Sequence, residues 1–172
     1  MKIDIITLFP EMLNGFLETS IIRRAIQSKY VHFNVLNLRD YAKDKHKTTD
    51  DRPFGGGPGM ILKPEPLFAA VESLQTDDSH IILLSPTGRL FNQSIANRLS
   101  NEESHLILIC GHYEGIDDRV RQELVHEEIS IGEYILTNGA LASAVLSDAI
   151  VRLIPGVLGG GRESLINESF NK

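Results

Sequence analysis

Three polar, glycine-bearing stretches each follow an apolar run in this chain: SPTG at 85–88, GHYEG at 111–115 and SIGEYILTNGA at 130–140. Glycine at a strand end lets main chain turn sharply, or lets a ligand reach backbone N–H and C=O groups. The second stretch runs on into Glu114, Asp117 and Asp118, and acidic side chains of this kind suit a helix N-terminus equally well. On these residues alone it is either an ordinary strand-to-helix turn or the wall of a site. A fourth stretch, DDRPFGGGPGM from Asp50 to Met60, is either a slack connector or a loop shaped to receive a ligand. A phosphate-cradling GxxxxGK[ST] is absent, and GGGPGM does not open a helix directly after a strand, as a dinucleotide fingerprint would. No GxSxG elbow supports nucleophilic catalysis. His32, His46, His80, His105, His112 and His126 lack ligand spacing on a shared face, so no metal site is expected. The single cysteine, Cys110, reads as a buried strand residue.

Regular elements must carry these stretches to one place. IDIITLF (Ile3 to Phe9) reads as a strand, after which helical spacing puts Met12, Phe16 and Ile22 near one side. VHFNVLNL (Val31 to Leu38) is a second strand. Pro64 opens a helix through Leu74, at a first-turn position where its missing N–H costs nothing. IILLSPTG (Ile81 to Gly88) and LILICGHYEG (Leu106 to Gly115) are buried-type strands that end in turns. A helix over about 116–125, the short strand EEISIG and a helix over 139–154 complete the order. Continuous apolar strands alternating with helices define an α/β domain with a largely parallel sheet flanked by helices. Ligands of such sheets bind beyond the carboxyl ends of strands, where the three glycine-bearing stretches fall.

The 172 residues suit one domain with a sizeable core, and 42% hydrophobic with 23% charged is ordinary for a soluble protein. No run reaches the roughly 18 apolar residues of a membrane span, and Asp4 interrupts the opening apolar stretch, which is a strand rather than a signal peptide. One cysteine cannot pair internally, which fits a reducing cytoplasm. A net charge of −6 argues against wholesale nucleic-acid binding, yet Lys43, Lys45, Lys47, Arg52 and the Arg23–Arg24 pair leave room for a local basic patch.

The motifs ITLFPEM, DDRPFGGGPGM, LSPTGR, CGHYEGIDDRV, SIGEYILTNGA and RLIPGVLG occur in this order. Together they resemble the bacterial tRNA (guanine-N1)-methyltransferases of the SPOUT superfamily, over nearly the whole chain from Met1 to Phe170. The resemblance implies a C-terminal deep trefoil knot, a feature that general topology makes rare, and a homodimer. It implies methyl transfer from S-adenosyl-L-methionine to N1 of guanosine 37, just 3′ of the tRNA anticodon, with Mg²⁺ needed for activity but no ligand set to assign. It implies a cofactor held by Leu84, Ser85, Pro86 and Gly88 of the first loop, and by Gly111, Tyr113, Glu114 and Gly115 of the second. The third loop adds Ser130, Ile131, Gly132, Glu133, Tyr134, Ile135 and Leu136, with Gly139 just beyond. Small residues and apolar walls suit an adenine held by main chain.

The same resemblance makes Arg152 the partner of guanine O6 and Glu168 the base that takes the N1 proton. Without it, Arg152 reads as a helix-terminal cation and Glu168 as an exposed carboxylate. ESF stands where the family carries Asp-Ser-Phe, and the preceding GGGRESLIN is about one residue longer than the usual pattern. Asn138, Gly139 and Ala140 replace a glycine-glycine-glutamate run. DDRPFGGGPGM becomes an active-site loop beside the incoming guanine, with Asp50, Arg52, Pro58 and Gly59 as its substrate residues. The implied organisation is a cofactor domain over 1–160 and the start of a linker over 161–172, with the family's helical tRNA-gripping domain beyond this chain. Such a chain is expected to bind cofactor and dimerise with methylation weakened. The rival readings are a non-catalytic dimeric RNA-binding or adaptor module of the same fold, and a SPOUT methyltransferase acting on ribosomal RNA.

Overall fold

The computed structural model describes residues 1–53, 55–56, 58–159 and 168–170. The chain begins with β1 (Lys2–Thr7), and the short helices α1 (Asn14–Leu17) and α2 (Ser20–Gln27) precede β2 (His32–Asn37). A two-stranded hairpin, β3 (Asp50–Asp51) with β4 (Ile61–Leu62), brackets the glycine loop, and α3 (Pro64–Leu74) follows. Next come β5 (Ser79–Leu90), α4 (Gln93–Glu102), β6 (His105–Cys110), α5 (Asp118–Leu124), β7 (Glu127–Ser130) and α6 (Ala140–Val151). Five strands form one sheet in the order β2-β1-β6-β5-β7, and all four pairings are parallel.

Strand periodicity divides the core. In β6, Leu106, Leu108 and Cys110 enter one apolar cluster with Ile95, Leu99, Leu146 and Ile150 of α4 and α6. Ile107 and Ile109 enter the other with Leu67, Ala70 and Val71 of α3 and Val120 of α5. Successive side chains of a strand point to opposite faces, so a strand buried on both sides must be apolar throughout, as HLILIC nearly is. Its exception, His105, lies at the amino edge of the sheet. There its Nε2 meets Asp4 Oδ2 at 2.5 Å and its Nδ1 meets Ser79 Oγ at 2.8 Å. Asp4 is fully buried and also takes Asn34 Nδ2 at 2.9 Å and Lys2 Nζ at 2.8 Å. These partners span β2, β1, β6 and β5, which makes the cluster a cross-tie rather than a cleft.

Two departures from sequence expectation matter. The helical spacing of Met12, Phe16 and Ile22 is divided among three short pieces: a 3₁₀ turn (Pro10–Leu13), α1 and α2 follow in sequence, broken where Ser20 takes a left-handed φ of 52°. The second is in β5, where Leu84 and Arg89 both pair with Ile129 of β7, so 85–88 is a bulge within a strand that runs on to Leu90, instead of a turn that ends it. Gly88 sits in that bulge, where a Cβ would lie 2.5 Å from Ile129 N. Only a residue without a side chain fits there. No helix among the described residues is long and apolar enough to cross a membrane.

Candidate active site at the carboxyl ends of three strands

Leu84 before the β5 bulge, Cys110 at the end of β6 and Ser130 at the end of β7 lead into loops that enclose a cavity of ≈ 480 Å³. That volume lies in the range of small-molecule sites. Every residue predicted to hold the cofactor lines it except Gly88, which packs on β7 below, and Glu133, which is exposed. The structure therefore gathers three loops separated by up to 55 residues (84 to 139) around one space. Close backbone packing assembles them. Gly139 N–H donates to Gly111 C=O at 2.8 Å, and a Cβ on Gly139 would meet Cys110 Cα at 2.8 Å. His112 and Asn138 form an antiparallel bridge between the second and third loops.

The second loop bends at Tyr113, whose φ of 56° is left-handed, an uncommon state for a bulky residue that marks stored strain. Gly115 N–H to His112 C=O at 3.1 Å and Glu114 N–H to Met60 C=O at 3.0 Å hold the bend. Tyr113 is 43% exposed, and its ring lies 4.2 Å from that of His112, which meets Phe9 edge-on at 5.3 Å. Burial pushes the Cys110 thiol up to about 12, so at neutral pH it is an inert core residue beneath the loops. Asp117 caps α5 by accepting Arg119 N–H at 3.0 Å. The Arg119 side-chain bond holds its carboxyl below the usual range.

Eleven lining residues were not among the predicted site residues: Leu83, Thr87, His112, Ile116, Asp118, Arg121, Glu128, Ile129, Thr137, Asn138 and Ala142. Thr87, His112, Thr137 and Asn138 lie inside motifs already singled out, so a reading of whole motifs would have included them. Arg121 and Glu128 carry no such signal. They meet only because α5 leads into β7, giving a polar chain from Ser85 Oγ through Thr87 Oγ1 (2.9 Å) to Glu128 Oε1 (2.9 Å). Arg121 continues it, with Nη1 3.8 Å from Glu128 and Nε 2.7 Å from Asp118.

The glycine loop is stitched to this wall. Leu62 N–H donates to Gly115 C=O and Asp117 N–H to Leu62 C=O, each at 3.0 Å. Gly59, with φ of 90°, lies so close to Glu114 that a Cβ would fall 2.3 Å from its Cγ. Pro58, Gly59 and Arg52 are exposed and Asp50 half-buried; none lines the cavity itself, but Gly59 touches a residue that does.

Arg152 and Glu168 come together across the end of α6. Arg152 Nη1 donates to Glu168 Oε2 at 3.0 Å, and Nη2 makes a second, parallel bond to Oε1. The side-chain bond from Arg152 holds the Glu168 carboxyl below the usual glutamate range, and the reciprocal bond raises the guanidinium. The pair is remote from its own chain's cavity. Gly139 and Ala142 of the cavity mark one end of α6, and Arg152 follows the other, roughly 18 Å away at 1.5 Å per residue. Among the described residues, no group of three or more His, Cys, Asp or Glu side chains could hold a metal ion. The longer segment before Glu168, 160–167, lies outside the described residues.

A parallel α/β sheet with a cavity among the loops at its strand ends is the arrangement in which such folds hold small molecules. The family model described as tRNA (Guanine-1)-methyltransferase TrmD matches residues 1–172, and the chain belongs to that family. It is 55% identical over 170 residues to a tRNA (guanine-N(1)-)-methyltransferase of Dictyoglomus turgidum, covering 99% of this chain and 68% of the relative. Against the protein of that name from Staphylococcus haemolyticus it is 55% identical over 172 residues, covering 99% and 69%. The crystal structure of tRNA (m1G37) methyltransferase from Aquifex aeolicus superposes with a TM-score of 0.82 at 36% identity, over 92% of this chain and 72% of that one.

Proposed function

We propose that this protein transfers a methyl group from S-adenosyl-L-methionine to N1 of the guanosine at position 37 of tRNA. The observation that carries this reading is the ≈ 480 Å³ cavity formed by the three motif-bearing loops, in a chain of the tRNA (guanine-1)-methyltransferase family. The cavity suits the cofactor: Leu84, Ile131 and Leu136 offer apolar walls for an adenine, and Gly111 and Gly139, bonded to each other, let the second and third loops close around it. Bound there, the cofactor supplies an activated methyl group on a sulfonium.

The chain's own residues do the rest. N1 of guanine carries a proton at neutral pH, and its removal puts negative charge on O6. Glu168 takes that proton and Arg152 donates to O6, a division of labour that their direct pairing supports, since one group already steadies the other's charge. Gly59 and Pro58, on the loop hinged to Glu114, leave room for a flat base, while Asp50 and Arg52 anchor the loop or meet RNA.

The protein acts as a homodimer in this reading. Arg152 is about a helix length from its own cavity, so it serves the cavity of a second copy. Leu141 and Val145, 48% and 50% exposed on one face of α6, supply an apolar contact between copies. A knotted path belongs to this reading as a feature of the family, and the close approach of the second and third loops at Gly111 and Gly139 is compatible with it. We assign 1–160 to the cofactor domain, and a cytoplasmic location follows from a tRNA substrate. Mg²⁺ finds no ligand set among the described residues.

Incubating the purified chain with labelled cofactor and tRNA transcripts carrying G37 or A37 tests the reading. N1-methylguanosine should appear in the nuclease digest of the G37 transcript alone. Label in both transcripts, or in neither, would overturn the assignment.

A further inference from the structure

Helix α2 and the three residues after it carry Arg23, Arg24 and Lys29 and no carboxylate from Ser20 to Tyr30, in a chain of net charge −6. All three cations are exposed, and none joins an ion pair among the described residues. Tyr30 ends the row, 39% exposed. Its ring lies against Gly156, where a Cβ would come within 2.7 Å of Tyr30 Cζ. Gly156 follows Arg152 by four positions, so the row of cations abuts the segment that carries the arginine of the proposed chemistry.

The end of α2 adds an independent sign. Tyr30 N–H donates to Ala25 C=O and Lys29 N–H to Ile26 C=O, both at 3.0 Å, the two bonds of a Schellman motif. Lys29 therefore occupies the left-handed position, with φ of 61°, that glycine fills most readily. A lysine here costs some folding stability relative to glycine, and it sets a cation at the edge of the strip.

We propose that this strip binds the sugar–phosphate backbone of the single-stranded RNA flanking the target guanine. Arg23, Arg24 and Lys29 neutralise phosphates, and the open face of Tyr30 stacks a neighbouring base. Unpaired loop bases stack on aromatic side chains, and cations beside them follow the backbone. That combination distinguishes the strip from a plain docking site for an acidic protein. The proposal rests on the tRNA methyltransferase reading above.

Anisotropy titrations of an anticodon stem-loop RNA over a salt series, with melting curves, test it on this chain and three variants. Lys29→Gly should melt about 2–4 °C higher, because the left-handed strain is relieved, and yet bind the RNA several-fold more weakly. Its log–log salt slope should shrink by about 0.7, the share of one lost single-strand phosphate contact. Arg23→Gln with Arg24→Gln should lose about twice that slope, while Tyr30→Leu weakens binding with the slope intact. Lys29→Gly melting higher with unchanged affinity and slope would mark its strain as merely structural, and a double arginine variant matching the parent chain would remove the strip. If the parent chain binds and methylates the RNA while all variants match it, the strip alone is wrong. A parent chain that neither binds nor methylates removes the tRNA reading and the strip with it.

Discussion

Arg152 and Glu168 show how one contact changes the meaning of two residues. Apart, each reads as a surface charge; joined through two hydrogen bonds, they make a unit in which the guanidinium keeps the carboxylate ionised. Arg152→Ala should lower methyl transfer at least a hundredfold, the usual loss on removing a donor to a developing oxyanion, while calorimetry finds cofactor affinity little changed. Equal losses in both would take Arg152 out of the chemistry. The pairing also fixes a pH dependence. The Glu168 carboxyl is depressed in the folded protein, so the pair's stabilisation is fully present above the ordinary glutamate value and is lost as pH falls through the lowered one. The acid limb of the rate profile should accordingly lie below the usual glutamate range in the parent chain. Replacing Arg152 with Gln should move that limb upward in a single-turnover pH series.

At the scale of elements, the site is held by close backbone approaches rather than by long helices. The bulge of β5 meets β7 at Gly88, and the chain after β7 returns to β6 at Gly139, each with no space for a Cβ. Gly88→Ala would press a methyl group into main chain at 2.5 Å and should cost about 1–3 kcal/mol, the usual penalty of overpacking. Denaturant melts would measure it, and cofactor affinity should fall with it because Leu84 to Thr87 line the cavity. Helix α5 depends on its cap. Asp117→Ala should cost about 1 kcal/mol, and the loss should be greatest above the ordinary aspartate range, where the parent carboxylate is ionised. Much at this scale was legible in the sequence. The Pro64 helix starts and ends as read, and the strands lie within a few residues of their expected places, because buried parallel strands need unbroken apolar runs. The break at Ser20 and the β3–β4 hairpin were not legible, since a two-residue strand leaves no periodicity to read.

For the whole molecule, the decisive distance is the length of α6, which separates the paired Arg152 and Glu168 from the cavity of their own chain. Under the proposed function, activity then requires two copies. Val145→Asp should shift the protein to monomer in sedimentation and abolish methyl transfer, while cofactor binding survives in each isolated cavity. Persistent activity in a demonstrated monomer would sink the shared-site arrangement.

What the amino-acid order alone determined is the alternation of strands and helices, the family likeness and the three loops at strand ends, because each is written in local runs of residue types. Tertiary structure alone decided that 85–88 bulges from β5 beside β7, that Arg121 and Glu128 join the cavity wall, and that Arg152 pairs with Glu168 far from its own cavity. Those outcomes depend on which distant backbones pack in contact, and no short window of sequence carries that distance.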